Sequence, residues 1–245
     1  MPLQNRECNF AADALFLDFD GTLVDLAPQP DGVVLSAGLL ALLMQIQQAT
    51  GGALAVVSGR PISQLDHYMA PLRLAAAGVH GLERRDARGH MMALPAPDTA
   101  GLMQILESFV ARYPALRLEH KRGALALHYR QGPDLEQACI EAMRSALTQV
   151  PGFTLLQGKM VVEAKAAMVD KGAAVSAFMT EAPFIGRRPW FIGDDITDED
   201  GFSRVQADGG VGIKIGFGAS QAQQRLASPA ALFAWLSACV NRSPR

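Results

Sequence analysis

The chain has 245 residues, 49% of them apolar and 19% charged, with a net charge of −2. This is the balance of a folded globular chain, long enough for one large α/β domain or for a core with an inserted module, and it gives no reason to expect nucleic-acid or membrane partners. Three scattered cysteines (Cys8, Cys139, Cys239) lack CxxC spacing, which argues against a disulfide framework and a zinc site and for a reducing cytoplasm. The opening Met-Pro-Leu-Gln-Asn-Arg-Glu has no apolar leader core, and no run is apolar enough to span a bilayer. A monomer acting on a small molecule is the expectation.

Taken in chain order, an apolar strand over residues 14–17 runs into Asp18-Phe19-Asp20-Gly21-Thr22. Side chains two apart on a strand share a face, so Asp18 and Asp20 leave its end together. Two ionised carboxylates that close repel unless a cation lies between them or one is protonated. Magnesium, hard and oxygen-seeking, suits them, and that is chemistry for a phosphate ester. Residues 38–48 read as an amphipathic helix stopped by Gly51-Gly52, and 53–57 as a strand closing on Ser58-Gly59-Arg60. A helix over 61–69 and a strand over 74–77 follow, the latter entering Gly78-Val79-His80-Gly81.

Residues 83–89 read as a charged turn. Next come a helix over 99–113, a strand over 124–129, a helix over 134–150, and strands near 153–156 and 159–163. A helix over 171–179, a strand over 189–192 with the acidic loop Asp194-Asp195-Ile196-Thr197-Asp198-Glu199-Asp200 after it, and a strand over 211–215 complete the pattern. Gly216–Ser220 mimics the start of a dinucleotide fingerprint, but Gln221 stands where the third glycine belongs, so the segment reads as a strand-to-helix turn. Strands alternating with helices predict a parallel sheet covered on both faces, with ligands outside the carboxyl ends of the strands. Asp18, Ser58 and Asp194 all fall at such ends.

Asp18-x-Asp20-Gly21-Thr22, Ser58-Gly59-Arg60, Asp170-Lys171-Gly172 and Gly193-Asp194-Asp195 resemble, in order, the four motifs of the haloacid dehalogenase-like phosphohydrolases. The resemblance implies an α/β fold: a Rossmann-like parallel-sheet hydrolase core over 1–92 and 166–245, with an inserted α+β cap over 93–165. It implies Asp18 as nucleophile, forming an aspartyl-phosphate, and Asp20 as general acid and base. Mg2+ would be held by Asp18, Asp194 and the Asp20 backbone carbonyl, with Asp195 and Asp198 orienting ligands behind them. Lys171 would supply a fixed cation, while Ser58, Thr22, Gly21 and Arg60 would bind the phosphate ester. Plainer readings exist for each in isolation. Asp170 can be a helix N-cap, Ser58 a turn serine, Asp198-Glu199-Asp200 a solvated helix start.

Gly78-x-His80-Gly81-x-Glu83, Leu118-Glu119-His120-Lys121, Leu127-His128-Tyr129-Arg130 and Gly158-Lys159-x-Val-Val-Glu163 sharpen the resemblance toward the trehalose-6-phosphate phosphatases. That family implies disaccharide-binding roles for Glu119, Lys121 and Glu163, with His128 and Arg130 as further candidates. Carboxylates accepting from sugar hydroxyls and an ammonium donating to sugar oxygens suit such a site. A capped phosphatase for another sugar phosphate, of the sucrose phosphate or mannosyl-phosphoglycerate type, is the alternative. The lysine motif departs from relatives in lacking a proline soon after Glu163, which bears only on the path of the return linker.

Overall fold

Strand β1 (Asp13–Leu17) is buried along its whole length, with apolar side chains on both faces from Ala14 to Leu17 and Asp13 paired with Arg188. Leu15 and Leu17 join one core cluster with Ile46, Leu54, Trp190 and Ile213, whereas Ala14 and Phe16 join another with Phe178, Phe184, Phe191 and Phe202. A strand buried on both sides is the mark of a central parallel strand. The computed structural model describes residues 8–26, 33–158 and 160–242. The opening heptapeptide and Lys159, quoted above, lie outside them. By contacts the chain divides into two units, one of residues 1–93 and 170–245 and the other of residues 94–169.

In the larger unit, α1 (Ala37–Ala49), β2 (Leu54–Val57), α2 (Ile62–Met69) and β3 (Ala75–Gly78) follow β1. Next, β4 (Glu83–Arg85) and β5 (Met91–Ala93) form a hairpin. After the second unit come α5 (Lys171–Met179), β10 (Arg188–Gly193), α6 (Asp198–Ala207), β11 (Val211–Ile215), β12 (Gln224–Leu226) and α7 (Pro229–Arg242). The sheet order is β12-β11-β10-β1-β2-β3-β4-β5. Pairing is parallel from β12 through β3 and antiparallel at β4 and β5.

Two segments of the larger unit read differently from the sequence. The segment read as a charged turn is the β4–β5 hairpin, its turn confined to residues 86–89. Arg85 is buried there, with its guanidinium donating to both Asp66 carboxylate oxygens at 2.7 Å and to the Leu74 carbonyl. The Gly216–Ser220 segment leads to the edge strand β12 and not to a helix. Arg225 on β12 donates to the Gly216 and Gly218 carbonyls and closes the loop back on itself.

The smaller unit contains α3 (Ala100–Val110), β6 (Arg117–Lys121), β7 (Ala124–His128), α4 (Glu136–Gln149), β8 (Phe153–Gly158) and β9 (Val161–Ala166). Its antiparallel sheet runs β6-β7-β9-β8. Leu125, Leu127, Val162 and Ala164 face a core shared with Leu102, Leu106, Cys139 and Met143 of the two helices. The alternate positions form the other face. β6 adds a strand to the order read from sequence, and β9 extends three residues past Glu163.

Candidate active site

Asp18 follows β1, and its backbone N–H donates to the Ile192 carbonyl of β10 at 2.9 Å, so the nucleophile candidate is held by the sheet itself. Past it the chain turns sharply. Gly21 has φ +81°, and a Cβ there would lie 2.1 Å from Oδ2 of Asp194. Only glycine permits both the backbone and the close approach of that carboxylate. Thr22 is buried, with its hydroxyl donating toward Oδ1 of Asp194 at 3.4 Å.

Lys171 is the first residue of α5, and the Asp170 carboxylate caps that helix by accepting from the Ala173 N–H at 2.6 Å. The capping and catalytic readings of the Asp170-Lys171 pair are therefore compatible. The Lys171 ammonium lies 2.7 Å from Oδ1 of Asp18 and 2.7 Å from Oδ1 of Asp198, all three side chains being buried. The other Asp198 oxygen accepts from the backbone N–H groups of Asp194 and Asp195 at 2.8 and 2.9 Å. Asp198 therefore ties the loop after β10 to Lys171. Gly193 makes room for it, since a Cβ there would stand 2.2 Å from the Asp198 carboxyl carbon.

These charges act on one another. Burial raises the pKa of Asp18, the carboxylate of Asp198 adds to that, and Lys171 opposes it. Lys171 is raised: burial penalises its charge, but Asp18 and Asp198 outweigh that and hold the ammonium protonated. Burial, with Asp195 and Asp198 beside it, pushes Asp194 up to about 6. Such a cluster invites a further cation. One oxygen from each of Asp18, Asp194 and Asp198 lies within 4.8 Å of the others. An all-oxygen set of this kind fits a hard divalent ion. Asp198 already spends both oxygens on Lys171 and the loop, which leaves Asp18 and Asp194 as the better donors. Asp195 accepts from the Thr197 N–H and hydroxyl at 2.7 and 2.6 Å and stabilises the start of α6.

Asp20 is engaged elsewhere. Its two carboxylate oxygens accept from Nε and Nη2 of Arg60 at 2.6 and 2.7 Å, a bidentate pair. The Arg60 guanidinium rests over the rings of Tyr68 and Phe19, 5.1 and 5.6 Å from their centroids. Arg60 was expected at the substrate; in this structure it grips Asp20. Ser58 is buried and its hydroxyl accepts from the Arg60 N–H at 3.1 Å. Behind this loop, Val79 and His80 both adopt positive φ, at 49° and 56°. Their N–H groups donate to the Arg60 and Ser58 carbonyls, both at 3.0 Å. A left-handed valine is rare, so the strained turn serves to set the Ser58–Arg60 loop.

In the smaller unit, Glu119 and Glu163 both pair with Ala126, from β6 and β9 on either side of β7. They thus share one row of the face opposite the core, with alanine between them. Lys121 lies on that face, its ammonium 3.2 Å from Oε2 of Glu163 and 3.9 Å from Oε2 of Glu119. His128 meets Glu119 at 2.8 Å, a contact that lowers the Glu119 pKa. Arg130 is exposed in the turn after β7, outside this row. Sequence reasoning missed Lys214, a buried lysine of β11 whose ammonium donates to the Asp194 backbone carbonyl. The lone charge in Val-Gly-Ile-Lys-Ile was the available signal.

Solved structures share this α/β fold, a parallel-sheet core with an inserted second unit. The C-terminal domain of Candida albicans trehalose-6-phosphate phosphatase superimposes with a TM-score of 0.83 at 20% identity, covering 95% of this chain and 94% of that one. A Bacteroides thetaiotaomicron phosphatase of the haloalkanoate superfamily gives a TM-score of 0.62 at 15% identity, over 98% and 97% of the chains.

The sequence profile described as Trehalose-phosphatase matches residues 16–231, and the chain belongs to that family. It is 46% identical over 226 residues to the trehalose-6-phosphate phosphatase of Escherichia coli K12, covering 91% of this chain and 85% of the relative. A probable trehalose-phosphate phosphatase of Sinorhizobium fredii is 42% identical over 205 residues, with 83% and 77% covered.

Proposed function

We propose that this protein hydrolyses trehalose 6-phosphate to trehalose and inorganic phosphate through an aspartyl-phosphate at Asp18, with magnesium as its cofactor. The buried contact between Lys171 and Asp18 carries the reading, because it opposes the protonation that burial favours and fixes the carboxylate in direction. Asp18 and Asp194 would hold the ion with the Asp20 carbonyl, and it would neutralise charge on the phosphoryl oxygens.

The remaining work falls to the chain. An oxygen of Asp18 attacks phosphorus in line with the ester oxygen, while Lys171 holds the nucleophile and offsets developing charge. The Ser58 and Thr22 hydroxyls and the N–H groups around Gly21 orient the phosphoryl oxygens. Asp20 gives a proton to the leaving sugar oxygen and then takes one from the water that hydrolyses the acyl phosphate. Both of its oxygens accept from Arg60, so the acid step requires the pair to loosen. Residues 94–169 act as the cap in this reading, and the row of Glu119, Lys121 and Glu163, with His128 at its edge, takes the sugar hydroxyls.

Phosphate release from trehalose 6-phosphate, sucrose 6-phosphate, glucose 6-phosphate and an aryl phosphate, with and without magnesium, tests it. Metal-dependent preference for the first is expected. Release confined to another member would overturn the substrate assignment, and equal rates without metal would overturn the cofactor.

A further inference from the structure

Strand β11 is buried at every position, yet the fourth of its five residues is Lys214, 5% exposed. An ammonium taken out of water costs several kcal/mol unless it is well partnered, and valine or isoleucine would fill the same place without that cost. What it touches suggests why it is there. In the sheet register Lys214 lies beside Gly193, the residue before Asp194. It shares a face with Gly212, where a Cβ would meet Gln206 and Phe202 of α6 at 2.9 and 3.1 Å. That face therefore looks toward the helix whose first residue is Asp198. The Lys214 ammonium donates to the backbone carbonyl of Asp194.

We propose that Lys214 is a positioning residue for the metal-ligand candidate Asp194. Fixing the Asp194 carbonyl fixes its peptide plane, and the peptide plane fixes where the Cα–Cβ bond aims the carboxylate, here over Gly21. Asp198 restrains the same loop from the other side through the Asp194 and Asp195 N–H groups. The carbonyl and amide sides of Asp194 are thus held by two different elements, β11 and α6. This inference rests on the metal assignment proposed above.

A hydrogen-bond tether and a mere nearby positive charge predict opposite signs. A tether strengthens cation binding by orienting the ligand, whereas an untethered ammonium weakens it by repulsion. Magnesium binding to chelator-stripped protein, followed by titration calorimetry, separates them. Lys214→Met should bind magnesium about 10- to 100-fold more weakly, the range for loss of a group that orients a metal ligand. Lys214→Gln, whose amide can still donate to the carbonyl, should lose less, and the kcat of both on an aryl phosphate should climb back toward wild type at saturating magnesium.

Binding as tight as wild type in either variant, or tighter, would overturn the proposal, as would equal losses in both. If Lys214→Met does not fold, the glutamine variant carries the test alone, and unchanged affinity there is the overturning result. Wild-type protein that binds no magnesium would remove the metal assignment and the role of Lys214 with it.

Discussion

Replacing Lys171 with methionine keeps the length of the side chain and removes its charge. In the structure this leaves Asp18 and Asp198, each 2.7 Å from the lost ammonium and at most 5% exposed, facing one another with no cation between them. Breaking a buried ion pair by removing one partner costs about 3–5 kcal/mol, because the remaining charge stays desolvated. For a chain of this size each kcal/mol moves Tm by about 2–4 °C, so a fall of roughly 6–20 °C is expected in the absence of metal. Differential scanning calorimetry in chelator reads it directly. The chain has two units, so the transition to follow is the one lost when the catalytic unit melts. Turnover of an aryl phosphate should fall about 100- to 1,000-fold, as when one preorganised donor is removed from a developing anion. A Tm within about 2 °C of wild type, with turnover retained, would refute the claim that Lys171 is the buried counter-charge of the site.

Four further outcomes are expected. Asp18→Asn should fold normally and abolish turnover, since the amide is nearly isosteric but a poor nucleophile; steady phosphate release would remove Asp18 from its role. Gly21→Ala should weaken magnesium binding measured by calorimetry, because the new Cβ would stand 2.1 Å from Oδ2 of Asp194, and unchanged affinity would mean that carboxylate is not a ligand. Glu119→Ala or Lys121→Ala should raise KM for the sugar phosphate by about tenfold, the effect of one charged hydrogen bond, while sparing aryl phosphates. Equal losses on both substrates would refute a sugar-binding role. Burial and a 2.8 Å bond to Glu136 push the Tyr129 hydroxyl up to about 12. Its folded value exceeds the ordinary value near 10, so its contribution to stability is present below about pH 10 and lost as pH rises toward 12. Ultraviolet titration of wild type against Tyr129→Phe should show the missing tyrosine ionising only near pH 12.

The strands that carry the candidate groups were legible because the central parallel strands are largely apolar on both faces: β1, β2 and β10 read as short apolar runs, and β11 reads as one despite its single lysine. What stayed hidden is where charge takes an apolar place. Glu83-Arg84-Arg85 looks like a solvated turn, yet it forms a strand because Asp66 and the Leu74 carbonyl satisfy Arg85 inside the protein. The strand β6, Arg-Leu-Glu-His-Lys, alternates weakly because His120 shares the face of Leu118, opposite the polar row of Glu119 and Lys121. β12 is three residues on a sheet edge, too short for any periodicity. At the site, the spacing of Asp18 and Asp20 reads as two carboxylates leaving one strand end. It did not indicate that Asp20 turns to Arg60, forty residues away in sequence, while Asp194 and Asp198 approach Asp18. Those partnerships depend on loops whose backbone signs, at Gly21, Val79 and His80, only the fold reveals.

The central claim is that Asp18 accepts the phosphoryl group. Rapid acid quench of wild-type protein turning over trehalose 6-phosphate with magnesium, followed by peptide mass spectrometry, tests it most directly. The account predicts a phosphoryl group on the peptide carrying Asp18, and none in Asp18→Asn. Phosphate on any other residue, or turnover that proceeds with the Asp18 peptide unmodified at every quench time, would contradict it.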